Sequence, residues 1–220
     1  MKIISVAAPG NSSGKTSTIA AILGAFPGRL DAVKFTTVFK DGVNCPRTET
    51  ACACRTLRGP FTVVTERRML QEEGTDTGRL ARAGARSVLW CLARQGWHRQ
   101  AWSHLRAGLV GETAEIITEG NSIVPFLDPD MLIMVVDPAL ARERWKPDSW
   151  ELIERADRVV INDHGCRDEA IAILSGEVSR HRAGERPAIE EVSRPLAGWR
   201  DRWLRETLAQ LLDDGVKPVP

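Results

Sequence analysis

One short segment constrains the fold more than any other: Pro9-Gly10-Asn11-Ser12-Ser13-Gly14-Lys15-Thr16-Ser17. It follows an apolar run, Lys2 to Ala7. It opens a stretch with Ile19, Ile22, Leu23 and Phe26 at helical spacing, which Pro27-Gly28 then ends. A strand, a glycine-bearing loop and a helix in that order form a phosphate cradle, usually written G-x-x-x-x-G-K-S/T. Here Pro9 stands at the first glycine position and Gly10 follows one place later, while the Gly-Lys-Thr end is intact. Gly10 and Gly14 open backbone conformations that let amides turn inward. Such amides make a nest for phosphate oxygens, and the helix starting near Lys15 adds the positive end of its dipole.

On this reading Gly10, Asn11, Ser12, Ser13, Gly14, Lys15, Thr16 and Ser17 bind a nucleoside triphosphate, ATP or GTP. The Lys15 ammonium holds the β- and γ-phosphates, and the Thr16 hydroxyl ligates Mg2+. The bland alternative is a glycine-rich turn with an incidental lysine. Some P-loop proteins carry a lysine at the start of this loop. Pro9 occupies that place here, so a lysine donated across a dimer is not expected.

The rest of the chain alternates. Leu30 to Val38, Phe61 to Thr65, Ser87 to Leu92, Ala114 to Thr118, Leu132 to Val136 and Arg158 to Ile161 read as strands. Arg67 to Gly84, interrupted at Gly74 and Gly78, Arg99 to Leu109, Asp168 to Val178 and Trp199 to Leu212 read as helices. Asp148 with Glu151 reads as a capping box opening a helix to Ala156. The pattern implies an α/β fold, a mostly parallel sheet with helices on both faces, of the Rossmann-like P-loop NTPase kind. Residues 1–180 form the nucleotide-binding domain, with a Cys-containing insertion at 39–60. Residues 181–220 form a C-terminal extension on the same core.

Ligands of such sheets sit beyond the carboxyl ends of the strands. Asp137 follows the apolar run Leu132 to Val136, in the Walker B manner, and Glu119 ends Ile116-Ile117-Thr118. Either carboxylate could hold Mg2+ or orient water, and either could be a solvated strand-end acid. Asn162 ends Val159-Val160-Ile161, where a side-chain amide can contact the base. The guanine-reading N-K-x-D pattern is not met, because Asp163 and Gly165 replace its Lys and Asp. A turn-forming Asn is the alternative.

These segments together resemble a family. Pro9 to Ser17, Lys34 at the end of the second strand, Gly74-Thr75-Asp76-Thr77-Gly78 with Ala83-Gly84-Ala85, and Thr118-Glu119-Gly120 resemble the molybdopterin-guanine dinucleotide biosynthesis adaptor protein B family. More broadly they resemble the SIMIBI class of P-loop proteins, which includes dethiobiotin synthetase. The likeness spans residues 1–165. It implies a nucleotide-binding homodimer with slow hydrolysis that assists cofactor assembly alongside a partner protein. It also implies that Glu119 sits near the metal and Asp76 near the phosphates or a partner substrate. The Cys-containing insertion departs from it.

Cys45, Cys52 and Cys54 put three thiols within ten residues. Thiolates suit an Fe–S cluster, Zn or Cu(I), with Cys91, Cys166, His98, His164 or a second subunit completing the set. Small buried thiols or a redox pair are the alternative. Trp145 and Trp150 flank Lys146-Pro147-Asp148 and could stack on a flat ligand or pack as core.

Composition excludes some classes. The 220 residues carry a formal net charge of +1, so no whole-chain field directs the protein to nucleic acid or anionic lipid. No apolar run approaches the ~18 residues of a membrane span. The apolar N-terminal stretch is short for a signal peptide, and the expected compartment is the cytoplasm. The loop, the cysteines and the resemblance together lead to three expected functions: a Mg2+-dependent NTPase that the resemblance places in cofactor or metallocofactor assembly, a nucleotide-gated metal or Fe–S carrier, or, by the same resemblance, a small-molecule kinase or ligase of the dethiobiotin-synthetase type.

Overall fold

The apolar runs become buried strands, and the helical stretches cover them. The computed structural model describes residues 1–38, 57, 59–108, 114–163, 172–174, 176–178, 189–193 and 208–212. Among these, the strands are β1 (Lys2–Ala7), β2 (Asp31–Val38), β3 (Phe61–Val64), β4 (Ser87–Arg94), β5 (Glu115–Glu119), β6 (Met131–Val136), β7 (Arg158–Asp163) and β8 (Ile189–Ser193). They form one sheet in the order β3-β4-β2-β5-β1-β6-β7-β8. Every pairing is parallel except that of β3 with β4. The architecture is therefore α/β with a mostly parallel, Rossmann-like sheet.

The order places β1 between β5 and β6. Val6 is in register with Glu119, and Ala7 with Met134. The two strands that lead to Glu119 and to Asp137 thus flank the strand that feeds the glycine loop.

The helices are α1 (Lys15–Ala25), α2 (Arg67–Leu70), α3 (Asp76–Arg82), α4 (His98–Gly108) and α5 (Ser149–Arg155). Strand residues alternate between the two faces. On one face Ile4, Val6 and Ile133 pack with Ile19, Ile22 and Leu23 of α1 and Leu80 of α3, joined by Leu208 and Leu212. On the other, Ile3, Val33 and Ile116 pack with Ala101, Trp102 and Leu105 of α4. There too Leu132 and Met134 pack with Leu152 and Ile153 of α5. Each fully buried Ile or Leu contributes about 1.5–3 kcal/mol, so this double-sided core is what holds β1 rigid under the loop.

Three expectations need correction. The helix expected over Arg67–Gly84 is two helices, because Thr75 starts a new one: its hydroxyl accepts the Gly78 amide at 3.0 Å. Gly78 lies inside α3 rather than breaking it. The capping box at Asp148 is absent: Asp148 stands at the N-cap of α5 without a side-chain cap bond. Instead the Ser149 hydroxyl donates to the Lys146 carbonyl at 2.6 Å. Finally, β8 pairs with β7 from Val159↔Ile189 to Asp163↔Ser193, where no strand was expected. The segments 172–174, 176–178 and 208–212 are helical, within two of the expected helices. Among the described residues no helix is long and apolar enough to cross a membrane.

Candidate functional site

The glycine loop leaves β1 and turns into α1 through unusual backbone. Ser12 has φ 61° and Gly14 has φ 97°, the left-handed region that glycine enters without strain. Gly14 is the N-cap of α1, and it offers no side chain to cap the helix. Among the described residues no acceptor is seen for the backbone amides from Gly10 to Ser17. A helix start with open amides is an anion site in waiting. Within the loop the Ser13 hydroxyl donates to the Gly10 carbonyl at 3.3 Å, and Lys15 Nζ donates to the same carbonyl at 2.9 Å. Lys15 is therefore folded back over the loop it would serve.

Thr16, the next residue, points at a carboxylate. Its hydroxyl lies 3.1 Å from Glu119 Oε1 and 3.2 Å from Oε2, in a buried contact. Glu119 is only 5% exposed at the end of β5. Lys34 completes the group: its Nζ reaches Glu119 Oε1 at 2.9 Å and Asp76 Oδ2, at the start of α3, at 2.5 Å. Lys34 sits mid-strand, in register with Glu119, rather than at the strand end. Burial opposes its charge, but the two carboxylates outweigh burial and raise its pKa. Lys15 behaves in the opposite way. Burial, then repulsion from Lys146, brings its pKa down to about 8, against the pull of Glu119 and Asp76.

Asp137 follows β6, at the other side of β1. Its Oδ1 accepts the Ala139 amide at 2.8 Å, and its carbonyl accepts that of Leu140 at 3.1 Å, shaping the turn after β6. That turn carries the chain back to the glycine loop. A Cβ on Gly10 would collide with the Leu140 side chain. The Lys146 amide donates to the Pro9 carbonyl at 2.9 Å.

Asn162 supports the loop from beneath. It is fully buried, and its Nδ2 donates to the Ser13 carbonyl at 3.1 Å. A Cβ on Gly14 would stand 2.5 Å from that nitrogen. The amide expected at the base thus meets the loop backbone. Asn121, two residues past the end of β5, accepts the Ala8 amide at 3.1 Å, so two asparagines hold the loop backbone, one before the loop and one within it.

Sequence reasoning did not select Lys146 or Arg79. Arg79 donates to the Ser17 hydroxyl at 3.0 Å, tying α3 to the start of α1. Lys146 sits in a charged stretch, Arg142-Glu143-Arg144-Trp145-Lys146, that reads as solvated surface. Its one signal was its place after a strand end on the carboxyl edge of the sheet. Trp145 and Trp150 pack on each other with centroids 4.8 Å apart, and Arg142 lies 4.5 Å over Trp145.

Cys45, Cys52, Cys54, Cys166 and His164 lie outside the described residues. Of the other ligands considered with them, Cys91 is a buried free thiol whose pKa burial pushes up to about 12. His98 is buried against Thr37, with Nε2 and Oγ1 2.9 Å apart. Neither is presented as a thiolate or an open imidazole. Among the described residues no group of three metal-ligating side chains converges.

No protein-family model matches the chain, and no curated protein does. Among solved structures, the chain is similar to a crystal structure of a Zn(II)-bound triple mutant of the YjiA GTPase, with a TM-score of 0.43 and 12% identity. The match covers 87% of this chain and 57% of that one, little more than half of the neighbour's length.

Proposed function

We propose that this chain binds a nucleoside triphosphate with Mg2+ and hydrolyses it or transfers its terminal phosphoryl group, in the service of cofactor or metallocofactor assembly. One observation carries the reading: the Thr16 hydroxyl meets Glu119 beside a loop whose amides are open and whose lysine is folded over it. The inner phosphates take the amides at the start of α1, and Lys15 exchanges the Gly10 carbonyl for the β- and γ-phosphate oxygens. Asn162 contributes through the loop rather than through the base.

The donor set fits Mg2+. Thr16 and Glu119 offer hard oxygens side by side, and Mg2+ completes its shell with phosphate oxygens and waters. When bound, the ion neutralises charge that builds on the phosphate oxygens. Lys34 stays paired with Glu119 when Thr16 turns to the ion, and Asp137 is the outer carboxylate across β1. A homodimer and a partner protein belong to the same reading through the resemblance.

The Lys34–Asp76 pair favours transfer to a small acceptor as a second reading. It sets a cation and a carboxylate next to Glu119, where an acceptor could be charge-matched and oriented.

Titration calorimetry with Mg2+ and non-hydrolysable ATP and GTP analogues tests binding. Phosphate release tests turnover. Heat with one or both analogues is expected, and no heat with either would overturn the proposal. Phosphate release that stays at background until a metabolite is added would favour the transferase reading.

A further inference from the structure

The chain between β6 and α5 is strapped onto the glycine loop at several points. The Lys146 amide holds the Pro9 carbonyl, and Leu140 closes on Gly10. Trp145 Nε1 and Arg142 Nη1 both donate to the Leu140 carbonyl at 3.2 Å, which ties the strap to itself. Arg142 is anchored in turn by Glu177 at 2.8 Å. A segment held this often is a fixed wall of the site.

That wall carries Lys146, a half-buried lysine with no carboxylate at ion-pair distance among the described residues. Asp148 and Glu119 offset part of its desolvation through space, and an anion bonded to the ammonium would offset the rest. Its field is already felt at Lys15. The end of the loop it hangs from is also defined. Lys15 Nζ rests at Gly10, and a lysine in this position serves the outer phosphates, whereas the start of α1 serves the inner ones.

We propose that Lys146 binds the terminal phosphate of the nucleoside triphosphate, supplied in cis by the strap that hangs from Pro9. It rests on the nucleotide-binding reading above and adds a cation to it. Because Lys146 serves the outer end, it discriminates triphosphate from diphosphate.

The test is calorimetry on the full chain with Mg2+, using the β,γ-imido triphosphates of adenosine and guanosine against ADP and GDP. For Lys146→Met the triphosphate affinity should fall about tenfold or more, with a smaller fall for the diphosphate. Lys146→Arg should recover most of the loss, since the strap backbone is unchanged and the charge is restored. Circular dichroism melts verify that each variant folds. Wild-type triphosphate affinity in Lys146→Met overturns the proposal. Equal losses for diphosphate and triphosphate overturn it too, as does failure of the arginine to recover affinity. If Lys146→Met does not fold, the arginine variant decides alone: triphosphate preference lost with the charge retained overturns the proposal. Lys15→Ala, run in parallel, separates the two readings. Full nucleotide affinity there sinks the nucleotide site itself, whereas loss there with none in Lys146→Met sinks only the strap lysine.

Discussion

The Asn162 side-chain amide donates to the Ser13 carbonyl at 3.1 Å, across 149 positions of sequence. It fixes the glycine loop on the sheet and leaves Gly14 no room for a side chain. Gly14→Ala meets two obstacles: a left-handed φ of 97° and a Cβ 2.5 Å from Asn162. Nucleotide binding should be lost in that variant. Asn162→Ala removes the brace alone and should lower unfolding free energy by about 1–3 kcal/mol, because the Ser13 carbonyl loses a buried partner. Nucleotide affinity should fall in parallel. Urea denaturation and calorimetry measure the two effects, and an Asn162→Ala protein with unchanged affinity would refute the bracing role.

Lys15→Ala should abolish nucleotide binding and leave the fold intact. Among the described residues the Lys15 ammonium has one hydrogen-bond acceptor, the Gly10 carbonyl, and Lys15 is not part of the hydrophobic core packed under α1. A wild-type melting temperature with no calorimetric heat is the expected pair of results. Retained affinity would contradict the site assignment.

Glu119→Gln keeps the shape of the buried side chain and its hydrogen bond to Thr16, but removes the charge facing Lys34 and the metal. Activation by Mg2+ should weaken by about 10- to 100-fold, with a smaller change in nucleotide affinity without metal. Asp137→Asn should have the lesser effect on that titration. The reverse order would make Asp137 the carboxylate nearest the ion.

His98 gives the fold a pH dependence of its own. The ring is 4% exposed, lies against Thr37 and stacks on Phe126, and burial lowers its pKa below 6.5. Well above pH 6.5 the ring is neutral in both folded and unfolded chains, and nothing is lost. As the pH falls from there toward the lower folded value, the unfolded chain takes the proton first, so stability declines. The stability difference between wild type and His98→Gln should therefore shrink between pH of about 7.5 and about 5.5. Urea midpoints at the two pH values decide it, and a constant difference would show that the ring is not held neutral.

Much of the fold was legible because its signals are local. The strands from β1 to β7 announce themselves as apolar runs, and α1 by its periodicity and its Pro27-Gly28 stop. The glycine loop was legible for the same reason: it is contiguous. What was not legible depends on strand order, which no local pattern encodes. Placing β5 beside β1 brings Glu119 onto Thr16, a pairing across 103 positions of sequence. The role of Asn162 was hidden because its contact is with the backbone at Ser13. Lys146 was hidden because it looks like one more charge in a polar run. The strand β8 was missed because Ile189-Glu190-Glu191-Val192-Ser193 is polar for a strand.

The Ser13–Asn162 contact also orders events during synthesis. Residues 9–17 leave the ribosome before the strand that steadies them, β7, itself seated between β6 and β8. A nascent chain therefore exposes a glycine loop well before it can hold that loop still. Nucleotide should bind only after β7 and β8 have emerged, and by favouring the finished sheet through mass action it would act as a late folding ligand.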